Sequence, residues 1–349
     1  MAAIQAKGSK SRGIVTDFTS SDWYTNSVSQ NRSAPAGSGH ETSVSKMHQE
    51  ASLTTPSAPT KETTAEWQPD AVPVVGCLGI PIAAHDRRSA ARQVVQLAEL
   101  TRRARPAQEH KESLSPDASR RGGGAVHLCN AYTLALAAKD AELHALLRSA
   151  ALNLPDGQSV VWANQLLHRT AALPSSRVCG TELLLDVFAL GQTAGLRHYL
   201  LGSTREVLAA LQRELHRRFP HALIVGACSP PFRPLTATES FEQEEAIRKT
   251  GADVVWVGLG TPQQDRRTAE LAAVLPSMCV AVGAAFDFIA GHRRRAPRWM
   301  QRWGMEWLFR LTYEPRRLWR RYLFGNTRFV HGVIRQHLRQ RVASGRGAG

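Results

Sequence analysis

Asp253-Val-Val-Trp-Val-Gly-Leu-Gly-Thr-Pro-Gln-Gln-Asp265 decides the fold. Its first half is a short apolar run rich in valine, the composition of a strand buried on both faces. Two glycines and a proline follow, and then helical spacing over 262–274. A strand that ends on glycine and turns into a helix is half of a parallel βα unit. The same alternation recurs on either side. Strands are expected at 125–129, 198–202, 223–227 and 279–283, with helices at 134–150, 159–167, 181–194, 205–219 and 240–249. Residues 153–157 and 177–180 read as turns. The pattern predicts the α/β class: a parallel sheet flanked by helices, with ligands at the carboxyl ends of its strands.

Outward from this block the order weakens. Residues 72–80 form a short apolar strand and 89–100 a helix, and together with the alternating block they give an α/β core over 71–291. Residues 101–124 are charged, contain proline and end in three glycines, which marks a long loop or insertion. Residues 1–70 are rich in Ser, Thr, Ala, Gly and Lys and read as a disordered tail.

The 349 residues carry a net charge of +15, which favours polyanionic partners: nucleic acid, anionic lipid or phosphorylated small molecules. Ten arginines against two acids, Glu306 and Glu314, concentrate that excess in 293–321. Tryptophan and leucine interleave with them. Trp299, Trp303, Trp307, Leu308 and Leu311 recur at three- and four-residue steps, giving one apolar and one cationic helix side. Glu314-Pro315 breaks this helix before a second short one. We read 292–335 as a basic amphipathic helical appendage and 336–349 as a disordered tail. No apolar run has signal-peptide or membrane-span character; the longest, 271–291, is interrupted by Pro276, Gly283 and Asp287. Cys77, Cys129, Cys179, Cys228 and Cys279 form no Cys-x-x-Cys pair and read as reduced core residues.

Four loops are candidates for chemistry. Leu200-Leu-Gly-Ser-Thr204 lets a backbone approach closely at Gly202, or is an ordinary capped turn. Gly258 and Gly260 expose backbone N–H groups before a helix in which Gln264 and Asp265 occupy the first turn, with Pro262 at its first position. Asp287 lies between two aromatics and is either a ligand or a cap. Asp156, in Leu154-Pro-Asp-Gly-Gln158, is either a general base or the N-cap of the next helix.

Taken in order, several pieces resemble the WecG/TagA/CpsF family of bacterial glycosyltransferases. They are Asn130-Ala131, Pro155-Asp-Gly157, Arg177-Val-Cys-Gly-Thr-Glu-Leu183, Leu201-Gly202 and Gly258-Leu-Gly-Thr-Pro-Gln-Gln264. Phe286-Asp-Phe-Ile-Ala-Gly291, Arg295-Ala-Pro-Arg-Trp-Met-Gln301, Gly304-Met-Glu-Trp-Leu308 and Glu314-Pro-Arg-Arg-Leu-Trp-Arg-Arg-Tyr322 complete the set, which spans about 72–329. Glu182 and Asp265 depart from it, standing where many relatives have aspartate and glutamate. The resemblance implies a Rossmann-like fold whose appendage meets the membrane and completes the site. It implies inverting transfer from a UDP-sugar (N-acetylmannosamine or a related hexose or uronic acid) to a polyprenyl-diphosphate-linked sugar, in cell-surface polysaccharide or exopolysaccharide synthesis. Asp156 is then the expected base. Gly202, Gly258 and Gly260 give backbone approach to the nucleotide. Gln264 and Asn130 are expected on sugar hydroxyls or uracil, and Asp287 in the same substrate site. Arg177, Arg295, Arg298, Arg316 and Arg320 are the expected diphosphate contacts. No Asp-x-Asp occurs, so no metal cofactor is expected. The expected location is cytoplasmic, peripheral at the anionic inner face of the plasma membrane, with homo-oligomerisation open.

Rival readings use the same charge. A nucleic-acid binder would grip phosphates with arginine and stack bases on tryptophan, but helix-turn-helix, zinc-finger and RNP signatures are missing. A non-catalytic membrane-surface protein leaves the glycine-rich strand ends unused. A dehydrogenase lacks its Gly-x-Gly-x-x-Gly.

Overall fold

The computed structural model describes residues 72–105, 122–169 and 173–346. The expected 1–70 tail and most of the 101–124 insertion fall outside the described residues.

The first apolar run is not one strand but a hairpin. β1 (Val74–Cys77) and β2 (Ile80–Ala83) pair antiparallel around Leu78-Gly79, both with positive φ. α1 (Arg87–Arg103) follows behind a capping box on Asp86. β3 (Gly124–Cys129) is buried along its whole length. The expected helix over 134–150 is two, α2 (Ala131–Ala137) and α3 (Ala141–Arg148), because Asp140 caps a new start. The turn expected at 153–157 is mostly strand β4 (Leu152–Pro155), followed by α4 (Gln158–Leu167) and α5 (Gly180–Ala194). β5 (Arg197–Gly202), α6 (Arg205–Arg218), β6 (Leu223–Cys228), α7 (Ala237–Thr250), β7 (Val254–Gly258), α8 (Gln263–Val274) and β8 (Met278–Ala281) complete the alternation.

Six strands form one parallel sheet in the order β4-β3-β8-β7-β5-β6. The chain steps outward from β3 to β4, then starts again on the far side at β5 and fills back toward β3. This reversal opens a crevice beyond the strand ends, where α/β sheets hold ligands. The register sets Gly202 opposite Gly258. A Cβ on Gly202 would lie 2.4 Å from the Gly258 carbonyl oxygen, so only glycine lets these two strand ends run this close.

One buried cluster under the sheet joins Val94, Leu184, Phe188, Leu200, Trp256 and Phe286. His198 is part of it, stacked on Phe188 at 4.0 Å and accepting from the Trp256 indole at 3.3 Å. Burial pulls its pKa down to about 3, so the ring stays neutral. Cys77, Cys129 and Cys279 are buried, and all five cysteines are free.

After β8 come the short α9 (Ala285–Ile289), α10 (Arg298–Arg302), α11 (Glu306–Tyr313) and α12 (Pro315–Arg346). Two expectations change here. The single amphipathic helix over 299–311 is divided at Gly304, whose φ of +66° ends α10. The second helix is not short, and the segment read as a tail from 336 is its last third. Leu318, Phe329 and Val333 of α12 are buried; the last two join a cluster with Ile80, Ile82, Leu134 and Val160. Gln336 holds the hairpin at both faces of its turn. Its Oε1 accepts from the Leu78 N–H at 2.8 Å, and its Nε2 donates to the Gly76 carbonyl at 2.9 Å. The appendage is therefore packed into the same body as the sheet.

Candidate active site

The ends of β3, β4, β7 and β8 surround a cleft of about 940 Å³, walled on its other side by α11 and α12. Asn130, Asp156, Arg177, Gly258, Gly260, Gln264 and Asp287 all line it.

Asp156 is set by its neighbours in the chain. β4 ends at Pro155, and the Asp156 N–H donates to the Cys129 carbonyl at 3.0 Å, which carries the pairing with β3 one residue further. Gly157 takes φ +92° and is itself the N-cap of α4, with no side-chain cap bond. The capping alternative for Asp156 is thereby excluded: its carboxylate is left for the cleft. Asn130, the N-cap of α2, spends its carbonyl oxygen on the Tyr132 and Thr133 N–H groups at 3.0 and 3.1 Å. Its remaining amide end favours the ionised form of Asp156. Burial among the protein's atoms raises the Asp156 pKa; Arg177 opposes this, Glu306 adds to it, and Arg310 and Asn130 oppose it more weakly. A carboxylate of raised basicity at a cleft wall is suited to accept a proton.

Arg177 enters beside it because the Val178 N–H donates to the Pro155 carbonyl at 2.8 Å. Its guanidinium meets Glu306, the first residue of α11, at 2.6 Å. Burial is the largest single influence and opposes the arginine's charge, but Glu306, Cys179 and Asp156 together outweigh it and the pKa is raised. Burial likewise works against the Glu306 carboxylate, and Arg177 and Arg310 together hold it below the ordinary range.

The glycine-rich loop after β7 is braced from within. The Gln264 carbonyl oxygen accepts from the Gly260 N–H at 3.1 Å, and its amide donates to Thr261 Oγ1 at 3.3 Å. Pro262 is the residue before α8 rather than its first, and joins Thr261 by a cis bond. Asp265, behind this loop, is fully buried on His127 Nδ1 at 3.1 Å. At β5, Thr204 caps α6 by accepting from the Val207 N–H, while Gly202 stays behind the cleft wall and Ser203 and Thr204 face it. Asp287 is no cap; Ala284 is the cap residue of α9, and Asp287 lies 3.8 Å from Arg293.

Of the other expected arginines, Arg295, Arg316 and Arg320 do not line the cleft. Arg295 turns back to Glu182 at 3.3 Å and Gln301 at 3.4 Å, fastening the start of the appendage to α5. Arg316 is exposed. Arg320 is exposed and stacks on Trp319 at 5.2 Å. The side chain of Arg298 lies outside the described ones. Arg310 was missed by the sequence reading and fits better. The cleft also receives Arg177, Arg233, Arg266, Arg267 and Arg293, and each of these five is ion-paired. Arg310 has no ion pair among the described residues and rests 5.0 Å above the Phe288 ring. Glu306 was missed too, although the signal was present: it and Glu314 are the two acids of the arginine-rich segment, and Glu306 reaches the core's Arg177 while Glu314 pairs with Arg293 at the start of the appendage.

A model of the glycosyl transferase WecG/TagA/CpsF family matches residues 77–343, from the hairpin to the end of α12. The chain belongs to the WecG/TagA/CpsF family. It is a glycosyltransferase of cell-surface polysaccharide synthesis, with a sugar donor and a polyprenyl-linked acceptor. The α11 and α12 residues that wall the cleft opposite the sheet lie within the matched region of this WecG/TagA/CpsF glycosyltransferase.

Proposed function

We propose that the chain transfers a hexose or hexuronic acid from a UDP-sugar, with inversion, to a polyprenyl-diphosphate-linked sugar held at a membrane surface. One observation carries this reading: a single carboxylate of raised basicity, Asp156, faces a cleft whose one unpaired arginine among the described residues is Arg310. Asp156 takes the proton of the acceptor hydroxyl as its oxygen attacks C1 of the donor sugar. The C1–O bond to UDP breaks on the opposite face, and the nucleotide leaves as an anion. Arg310 meets the diphosphate charge. With arginine meeting this charge, the proposed reaction needs no metal cofactor.

The membrane part of the reading is supported by surface chemistry. No helix among the described residues is long and apolar enough to cross a membrane. Trp299, Trp303 and Trp319 are exposed on the appendage amid arginines, the mix that suits an anionic interface on the inner side of the plasma membrane.

The test is Asp156→Asn, assayed by UDP release from a panel of UDP-sugars with a short-chain polyprenyl-diphosphate sugar. Transfer should fall about 10²- to 10⁴-fold, the usual contribution of a general base, with UDP binding retained. Wild-type turnover should survive EDTA. Unchanged turnover in the variant sinks the role of Asp156.

A further inference from the structure

The cation beside Asp156 is already taken. Arg177 lies in the same wall, tied to the end of β4, and it is the strongest counter-charge acting on Asp156. Yet among the described residues its ion pair is with Glu306, 129 positions away at the start of α11, at 2.6 Å. Both partners are largely shielded, with side-chain exposures of 17% and 14%. A guanidinium laid directly on a buried aspartate holds the carboxyl well below its ordinary range and makes it a weak base. The chain avoids this by delivering a second carboxylate from the appendage.

We propose that Glu306 is a positioning residue: it draws the Arg177 guanidinium onto itself and away from Asp156, so that Asp156 keeps its affinity for a proton. The inference rests on Asp156 being the base only where turnover is concerned; the electrostatic claim stands apart from it. The groups facing Asp156 are few. Arg177 and Glu306 come first, then Arg310 from the next turn of α11 and the Asn130 amide. The thiols of Cys129 and Cys179 also lie near, but burial pushes both up and they carry no charge at neutral pH. Glu306 in turn faces Arg177, Arg310 and Arg295. A mere docking contact between appendage and core would hold α11 in place without altering how Asp156 titrates. Here, basicity at Asp156 requires that α11 be seated.

Glu306→Gln separates the two roles, since it keeps the shape and a hydrogen bond but not the charge. The Asp156 carboxyl is followed by ¹³C NMR against pH in the full chain, assigned by its loss in Asp156→Asn. The titration midpoint of Asp156 should fall in Glu306→Gln and return toward the wild-type value in Glu306→Asp. The acid limb of the pH–rate profile should move down with it. Turnover at neutral pH should drop about tenfold or more, with a smaller change in KM for the donor. An Asp156 midpoint that does not move in folded Glu306→Gln overturns the proposal. If that variant loses its fold, Arg177→Gln supplies the answer: removing the cation must raise the midpoint, and a lowered or unmoved one overturns the idea. A midpoint that shifts as expected while the rate profile stays put upholds the role of Glu306 and removes the base assignment from Asp156.

Discussion

Asp156 is held at the end of a parallel strand where its own N–H still pairs with β3 and its carboxyl has no cap to make. That position has a thermodynamic cost. Its pKa is raised on folding, so the folded state binds the proton more tightly than the unfolded one. The associated stability is present below the unfolded pKa and is lost as pH rises through the folded value. Asp156→Asn, which never ionises, should therefore unfold at a higher temperature than wild type at neutral pH, and the gap should close in acid. Thermal scans at several pH values check this; a variant less stable than wild type at neutral pH contradicts the direction. Of the residues in the cleft, Asp156 was legible in the sequence because its neighbours Pro155 and Gly157 mark a strand end. Glu306 stood out only as one of two acids among ten arginines, since no local spacing encodes a pairing across 129 residues, and Arg310 carried no signal of its own.

At the scale of elements, α12 shows why the appendage was only half readable. Its arginines drew the eye, yet its inward face carries Leu318, Phe329 and Val333 into the protein. Helical periodicity reports two apolar faces without saying which one meets the core. The second face of α12 remains exposed: Leu323, Val330, Ile334, Leu338 and Val342. Most of these recur at four-residue steps, and Arg328, Arg335 and Arg339 interleave with them. Truncating the appendage would strip the buried face as well, so substitution on the exposed one is the discriminating test. Ile334→Ser with Leu338→Ser should leave the unfolding temperature unchanged while weakening binding to vesicles of anionic phospholipid several-fold. Co-sedimentation measures it, and equal binding by the double variant would remove this face from the membrane contact. The expected tail from 336 failed for a related reason: polar, arginine-rich sequence resembles disorder when the few residues that dock it, such as Gln336, are themselves polar.

Across the whole molecule, a parallel sheet flanked by helices followed directly from alternating strands and helices, although its edge strand β4 was read as a turn. Strand order did not, since the return from β6 through β7 and β8 to β3 depends on which buried faces match. The two-strand hairpin was hidden in one apolar run, and only the positive φ values at Leu78 and Gly79 divide it. Gln336→Ala tests how firmly the body is closed. It removes two hydrogen bonds to the hairpin turn and should cost about 1–3 kcal/mol, read as a lower midpoint in a single urea transition. A separate early transition for α12 would mean that the helix is an independent unit.

The clasp between Gln336 and the hairpin joins residues some 260 positions apart in the chain. During synthesis the hairpin leaves the ribosome long before its partner exists. The clasp on the hairpin turn and the α12 wall of the cleft must wait for that helix to emerge, and the carboxylate that engages Arg177 arrives with α11 just before it. A nascent chain stalled within β8 would own Asp156 and the sheet strands but neither Glu306 nor Arg310. The order of translation thus leaves the cleft unwalled on this side until α11 and α12 are made.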